Sequence, residues 1–300
     1  MRTKNQLRRI AALALTTALI FEGAGAWAAG GSAEDAASGL KPTNVQIVWG
    51  VYVGGISLGK VTFSGNLLGG EYSAYSQLQT GGIVNAFWES RIQADSRGKI
   101  TNVMIPEIYA SDTVSERASQ KVGLNYVNGF PAELIANPAY DLKRFPVTEE
   151  QKKGTVDPLS GMMLAIAGVT VDTGNPCGTK IPVFDGRRRY DINLSFAKPV
   201  TIDEGKHGYR GPALECEMEY DQIAGFKPNL DPDKPALPKI HAWLAPVGRP
   251  DAPDKPIYLP LKIWAETDFG VAVANARHIK INGTLPDALP SGELPVPASE

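Results

Sequence analysis

Short runs of alternating apolar and polar residues, separated by glycine, asparagine, aspartate and proline, make up most of this chain between residues 43 and 283. The alternation has a period of two, which is the side-chain period of a β-strand with one buried face. The pattern predicts a mainly β fold. We expect one strongly curved antiparallel sheet that forms an open or spiral β-barrel over residues 43–283, as a single domain.

The first half of this region predicts where an interior space would lie. Residues 83–94 are expected to form a strand with Trp88 on its apolar face, Ser96-Arg97-Gly98 a turn, and residues 99–105 the next strand. One face of the first-half sheet carries small residues, namely Ser57, Gly59, Ala74, Ser76, Ala86 and Ser90. Small inward residues would leave space inside a barrel, so Trp88 is a candidate cavity residue, although a layer of loops could equally fill that space.

One helix, at about residues 157–168, interrupts the strands. Asp157 suits the N-cap, and Pro158 suits the first helical position. Apolar residues then recur at helical spacing around much of the circumference: Leu159, Met162, Met163, Leu164, Ile166 and Ala167. Such a helix is buried rather than lying on the surface, so we expect it to plug the end or flank of the sheet.

The N-terminal 28 residues resemble a secretory signal peptide. Four basic residues precede an apolar run over residues 10–21, and Ala26-Trp27-Ala28 provides a small-x-small cleavage pattern. The run is too short to span a bilayer, and no cysteine follows it for lipid attachment. We therefore expect a periplasmic product, cleaved after about Ala28, that neither spans the membrane nor carries a lipid anchor. Residues 29–42 are expected to be a disordered leader, and residues 284–300 a disordered proline-rich tail.

Charge and cysteine content restrict the partners and the compartment. Residues 1–28 hold four basic residues and one acidic residue, so removing them from totals of 30 and 32 leaves 26 basic and 31 acidic residues. That net charge of −5 argues against nucleic acid as a partner. Cys177 and Cys216, the only cysteines, most simply form a structural disulfide in an oxidising compartment.

No motif predicts catalysis, a metal or a cofactor. Gly55-Ile56-Ser57-Leu58-Gly59 matches G-x-S-x-G, but the expected strand continues through Ser57 where a nucleophile elbow needs a turn and a helix. The three histidines are scattered, and no phosphate loop or dinucleotide fingerprint follows a strand. We therefore expect a protein that is not an enzyme.

The arginine cluster at residues 187–189 has two interpretations. If the strand begins at Arg187, then Arg187 and Arg189 share the polar face, while Arg188 begins the apolar face with Tyr190. In the first interpretation, Arg187 and Arg189 pair across strands with the glutamates around Cys216. In the second, Arg188 faces an interior cavity and binds an anionic headgroup, with Tyr190 beside it.

Several of these residues resemble a known family. The strings Asp157-Pro158-Leu159-Ser160, Pro176-Cys177-Gly178 and Val183-Phe184-Asp185-Gly186-Arg187-Arg188-Arg189-Tyr190-Asp191 are similar to the bacterial exported family known as domain of unknown function 3108. The resemblance covers roughly residues 44–282 and marks Asp157, Pro158, Asp185, Gly186, Arg187 and Arg189 as structural motif residues. It implies an envelope protein with a disulfide-pinned, broken β-barrel, similar in shape to lipoprotein carrier folds.

Two functions remain open at this point. The first is a non-enzymatic periplasmic protein that supports the cell envelope and binds an amphiphilic lipid or a lipoprotein acyl chain in a barrel cavity. The alternative is a filled barrel that acts as a scaffold for another envelope protein. The presence or absence of an interior cavity distinguishes the two.

Overall fold

The computed structural model describes residues 41–82, 89–115, 119–167, 175–204, 208–227, 238–252 and 255–286. The predicted signal peptide, the leader up to residue 40, the tail from residue 287 and Trp88 lie outside these ranges. The described elements are β1 (Thr43–Val53), β2 (Ile56–Leu68), β3 (Glu71–Thr80), β4 (Ser90–Ile100), β5 (Met104–Ser115), β6 (Ser119–Val127), β7 (Phe130–Asn137), α1 (Glu149–Lys152), α2 (Pro158–Ala167), β8 (Lys180–Phe184), β9 (Arg189–Asp203), β10 (Arg210–Ala224), β11 (Ile240–Val247), β12 (Ile257–Thr267) and β13 (Gly270–Ile281).

The strands form one antiparallel sheet, which confirms the predicted mainly β class. Its order is β7-β6-β5-β4-β3-β2-β1-β13-β12-β11-β10-β9-β8. Strands that follow one another in the chain pair with each other, except β7 and β8. In addition, β1 pairs with β13, from Val45 opposite Ile281 to Val53 opposite Ala272. Within the described residues β7 and β8 are the two edges, so hydrogen bonds do not close the sheet into a ring.

Helix α2 lies against one face of the sheet, which we call the inner face. It contacts β3, β4 and β5 from the first half of the chain and β8 and β12 from the second. Met163 is fully buried, and a side chain at Gly65 of β2 would collide with its sulfur. The sequence pattern predicted this helix. In the structure it fills the space between the two halves of the sheet, where it buries its apolar side chains against both.

The two ends of the sheet approach each other through side chains. The turn between β8 and β9 contains Gly186, which is buried with a φ of 93°. A Cβ at this position would lie 2.9 Å from Val122 of β6 and 3.0 Å from Leu134 of β7. Glycine is needed here both for the positive φ and for the close approach. The β8–β9 turn therefore packs against the strands at the opposite edge.

The turn predicted at residues 96–98 was wrong. Strand β4 continues through these residues to Ile100, and a β-bulge falls between Arg97 and Gly98. A Cβ at Gly98 would lie 2.3 Å from the carbonyl oxygen of Ile105 on β5. The glycine therefore permits a close approach of two paired strands, which is its second common use besides turns.

Candidate functional site

An apolar cavity of about 170 Å³ lies between α2 and the second half of the sheet. Its floor and walls come from α2 and from β8 to β12. The lining residues are Pro158, Gly161, Met162, Ala165, Ile166, Ile181, Ile192, Leu194, Met218, Ala242, Leu244, Tyr258, Pro260 and Ile263. All but Tyr258 carry apolar side chains or none.

Local sequence explains why this space stays open. Gly161 lets β8 approach α2 closely, since a Cβ there would lie 3.2 Å from Ile181, whereas the small side chain of Ala165, one turn further on, leaves space beside the helix. Ala242 on β11 faces the same space. Ile192, Met218 and Ile263 are only half-buried, although they pack against the core. The apolar inner face is therefore incompletely covered beside α2.

The cavity volume limits what can bind. An engineered apolar cavity of about 150 Å³ in another protein stays dry and accepts benzene. The space beside α2 therefore suits part of an alkyl chain or a single ring, with the rest of such a ligand outside. Because its lining offers almost no hydrogen-bonding groups, polar ligands would lose their contacts with water without replacement.

A buried polar network holds the N-terminal end of α2. The carboxylate of Asp157 accepts the backbone N–H groups of Leu159 and Ser160 at 3.0 and 2.9 Å, as its predicted N-cap position requires. It also accepts the hydroxyl of Ser160 and, at 3.1 Å, that of Ser96 on β4. The hydroxyls of Tyr72 and Ser160 lie 2.6 Å apart, which extends the network to β3.

The network is inside the protein and contains no cation. Asp157 is fully buried, and this burial raises the pKa of its carboxyl above the ordinary value despite the hydrogen bonds that it accepts. The hydroxyl of Tyr126, also buried, has no hydrogen-bond partner in the described part of the chain. The two described histidines, His241 and His278, lie on β11 and β13 and form no hydrogen bond with Ser160. The contacts seen here join the helix to β3 and β4.

An aromatic patch occupies the opposite, outer face of the second half. The rings of His241 and Trp264 stack with centroids 5.2 Å apart, and Trp243 meets Trp264 edge-on at 5.3 Å. The Lys262 ammonium lies 4.6 and 4.7 Å from the centroids of the two indoles. The carboxylate of Glu215 accepts the indole N–H of Trp243 at 3.1 Å. We call these five residues the outer aromatic patch.

Arg188 does not face an interior cavity, contrary to the second interpretation above. Residues 185–188 form a turn, and β9 begins only at Arg189. The Asp185 carboxylate closes this turn by accepting the backbone N–H groups of Arg187 and Arg188 at 2.9 and 2.6 Å. Arg188 is exposed, with its guanidinium 5.5 Å from the ring centroid of Phe226.

The first interpretation of the arginines was wrong as well. The guanidinium of Arg187 lies over the ring of Tyr140, at 5.6 Å from its centroid. Arg189 donates to the buried carboxylate of Asp191, two residues further along β9, at 2.5 Å. Burial raises the pKa of Asp191, but hydrogen bonds from Lys180 and Arg189 lower it more, so the net shift is downward. Two of the glutamates around Cys216 instead pair with lysines, Glu215 with Lys198 at 3.7 Å and Glu217 with Lys239 at 2.8 Å.

Tyr190 lies at the margin of the inner face. It lies on the same face of β9 as Ile192, two residues further on, and Ile192 lines the cavity. The ring centroids of Tyr190 and Tyr220 are 4.7 Å apart. Burial raises the pKa of the Tyr190 hydroxyl. Tyr190 is therefore a neighbour of the cavity and not part of its lining.

The two cysteines are joined in the structure. Cys177 and Cys216 form a disulfide with Cα atoms 5.4 Å apart, and both are buried. Cys216 lies on β10 beside Ala242, whose side chain lines the apolar cavity. The bond therefore ties the segment that precedes β8 to the wall of the cavity.

Sequence reasoning missed most of the cavity lining. Ala242, Leu244 and Tyr258 belong to strands that the alternation in the sequence predicted. The sequence did not predict that these strands lie opposite α2. The available signal was the pair of small residues Gly161 and Ala165 at helical spacing, because such a strip marks a side of a helix that neighbouring groups can approach closely.

Among the described residues, no group of three or more histidine, cysteine, aspartate or glutamate side chains is arranged to hold a metal ion. A separate search of the same residues finds no helix that is both long and apolar enough to cross a membrane.

A family model and a solved structure each match most of this chain. The family model described as protein of unknown function (DUF3108) matches residues 46–277. A crystal structure titled as a β-barrel-like protein of domain of unknown function DUF1849 from Brucella abortus is similar with a TM-score of 0.46 and 10% sequence identity, covering 82% of this chain and 99% of that chain. A comparison with curated proteins finds no match.

Proposed function

We propose that this chain, which belongs to the DUF3108 family of proteins of unknown function, is an exported periplasmic protein that binds an apolar segment, such as the acyl chain of a lipid or lipoprotein, beside α2. In this proposal the protein supports the cell envelope without catalysing a reaction. The observation that carries it is the apolar cavity between α2 and the second half of the sheet.

The curvature of the sheet supports the same proposal. Helix α2 contacts strands from both halves, and the turn at Gly186 packs against β6 and β7. An open or spiral barrel around α2 accounts for both observations, because only a curved sheet brings these strands to one helix. Such a barrel leaves the half-buried residues Ile192, Met218 and Ile263 as the route by which an alkyl chain would reach the cavity.

Filling the cavity is expected to weaken binding of an acyl chain at least tenfold. Ala165 is half-buried and lines the cavity, so the ring in Ala165→Phe would occupy the ligand's space. Protein is purified from the periplasmic fraction, where its intact mass should correspond to a chain beginning at Ala29. After delipidation it is titrated with 11-(dansylamino)undecanoic acid, and dansyl fluorescence reports binding.

The matched control is Ala132→Phe on β7, which adds the same ring at an exposed position outside the cavity. This variant should bind as the wild type does. Delipidated wild-type protein that takes up neither the dansyl probe nor dodecanoic acid would contradict the proposal, as would an Ala165→Phe variant with unchanged affinity and an unchanged unfolding midpoint.

The outer aromatic patch favours a second candidate, a scaffold that binds another envelope protein. Tryptophan is enriched among the residues that dominate binding at protein interfaces, and here two indoles flank one ammonium on an outer sheet face. If this is an interface, Trp264→Ala should abolish a crosslinked complex in the periplasm, whereas Ile135→Ala, at an exposed position on β7, should retain it. If the complex still forms with Trp264→Ala, the partner protein binds outside the outer aromatic patch.

A further inference from the structure

A groove of about 730 Å³, with both polar and apolar groups in its lining, lies on the outer face of β1 to β5, opposite the face that contacts α2. The side chains that line it from the outer face include Asn44, Gln46, Ser64, Asn66, Ser73 and Tyr75. We propose that this groove binds a neutral oligosaccharide. The proposal is independent of the apolar cavity, which lies across the sheet.

The groove exists because short side chains lie beside long ones across the strands. Ser64 on β2 is flanked by Gln46 on β1 and Tyr75 on β3. In the next row, Ser73 lies opposite Arg97. A serine between longer neighbours leaves a depression in an otherwise even sheet surface. The volume falls within the range of about 300–1,000 Å³ that is usual for small-molecule sites.

The lining is rich in neutral hydrogen-bonding groups. Three amides (Asn44, Gln46 and Asn66) and two serine hydroxyls supply both donors and acceptors. The charged residues of the lining are Asp95 and Arg97, which have opposite signs and alternate on one face of β4. A groove of this kind offers no excess charge to an anionic or cationic ligand, and it matches hydroxyl groups, which also donate and accept.

Tyr75 is held in place before any ligand arrives. The Tyr75 hydroxyl donates to the Gln77 amide oxygen at 3.0 Å and accepts from the Gln93 side-chain amide, also at 3.0 Å. An aromatic ring fixed at its hydroxyl end presents an apolar surface next to polar groups. The C–H face of a sugar ring has the matching character, so Tyr75 is the expected stacking residue.

One lining residue is left with an unsatisfied polar group. The amide oxygen of Asn66 is buried and has no hydrogen-bond partner among the described residues. Leaving such an acceptor unpaired is unfavourable, and rotation of the Asn66 side chain towards the groove would let a ligand hydroxyl donate to it. Partial burial also raises the pKa of the nearby Asp95 carboxyl, as expected inside a concave surface.

A peptide fits this groove less well than a saccharide. An extended peptide usually binds by adding a strand to a sheet edge, where backbone groups are unpaired. The groove lies on strands β1 to β5, each of which is hydrogen-bonded on both sides. Only side chains are available to a ligand here, and their amides and hydroxyls suit the many hydroxyls of a saccharide.

The test is calorimetric titration of the full-length exported protein with chitotetraose, maltotetraose and cellotetraose, each up to about 10 mM. We expect at least one of them to bind. Ser73→Trp, at an exposed position in the groove, should abolish that binding by filling the space, whereas Ser119→Trp, at an exposed position on β6, should not change it. Asn66→Leu should weaken binding about tenfold, the effect of losing one hydrogen bond.

Three results would overturn the proposal. The first is that none of the three saccharides binds the wild-type protein. The second is that Ser73→Trp binds them as the wild type does. The third is that a neutral peptide, N-acetyl-Ala-Gln-Ala-Asn-amide, binds in the groove while the saccharides do not. Ala165→Phe should leave saccharide binding intact, so the acyl-chain proposal and the groove proposal fail separately.

Discussion

Cys216→Ser is expected to lower the free energy of unfolding by about 4 kcal/mol, the value that chain entropy gives for a loop of this length. The disulfide joins Cys177 to Cys216, which are 39 residues apart in sequence, and thus restricts a long segment of the unfolded chain. Both cysteines are buried in the core, so the bond also holds the segment before β8 against β10. The measurement is urea unfolding with and without dithiothreitol.

The wild-type protein should lose stability in the reductant, and the Cys216→Ser variant should not respond to it. A Cys177→Ala/Cys216→Ala double variant is the control, because it removes the bond without burying a hydroxyl. If the wild-type midpoint is the same with and without reductant under conditions that reduce the protein fully, the disulfide contributes nothing to stability and the prediction is wrong.

Asp157→Ala is expected to cost about 3 kcal/mol, because it removes the N-cap of α2, worth about 1 kcal/mol, and leaves buried hydroxyl groups without their acceptor. Ser96 and Ser160 both donate to this carboxylate. Thr148→Ala is the matched control. It removes the capping box of the exposed helix α1 and should cost no more than about 1 kcal/mol. Equal losses in the two variants, measured by urea unfolding, would show that the buried network adds nothing.

The same carboxyl predicts a pH dependence. Burial raises the pKa of Asp157 in the folded protein, whereas in the unfolded chain it titrates near its ordinary value of about 4. As the pH rises above about 4, the unfolded chain releases this proton before the folded protein does. The stability contributed by Asp157 is therefore largest at low pH and falls until the pH passes the raised folded value.

Asp157→Asn, which cannot titrate, isolates this effect. The unfolding free energy of the wild type minus that of Asp157→Asn should decrease as the pH is raised from 4 and then become constant. Urea unfolding at intervals between pH 4 and 8 measures the difference. A difference that increases with pH would mean that the hydrogen bonds to the carboxylate outweigh its burial.

Local features of this protein could be predicted from sequence, and long-range ones could not. The period-two alternation indicated the sheet, and Asp157-Pro158 indicated where α2 begins, because both depend on neighbours in the chain. The pairing of β1 with β13 joins residues from opposite ends of the domain, and no short pattern encodes it. Gly98 shows the same limit, since a glycine at a turn and a glycine at a bulge are alike in sequence.

The site residues divide in the same way. Cys177 and Cys216 could be paired from sequence because there was no other choice. Arg188 was misplaced because the turn closed by Asp185 includes it, so β9 begins only at Arg189 and the alternation of the strand does not apply to Arg188. The cavity and the groove depend on which strands lie side by side, so their linings emerge only from the folded sheet.

The pairing of β1 with β13 also has a consequence for the order of folding. The middle of the sheet contains the first strand and the last, so its central ladder cannot form before residues 270–281 are available. Closing so long a loop slows folding, because its entropy is lost before its contacts form. If the chain is exported with its N-terminus first, β13 is the last strand to emerge, and the central ladder can form only then. Until then β1 has only β2 to pair with, so the two halves of the sheet remain unjoined.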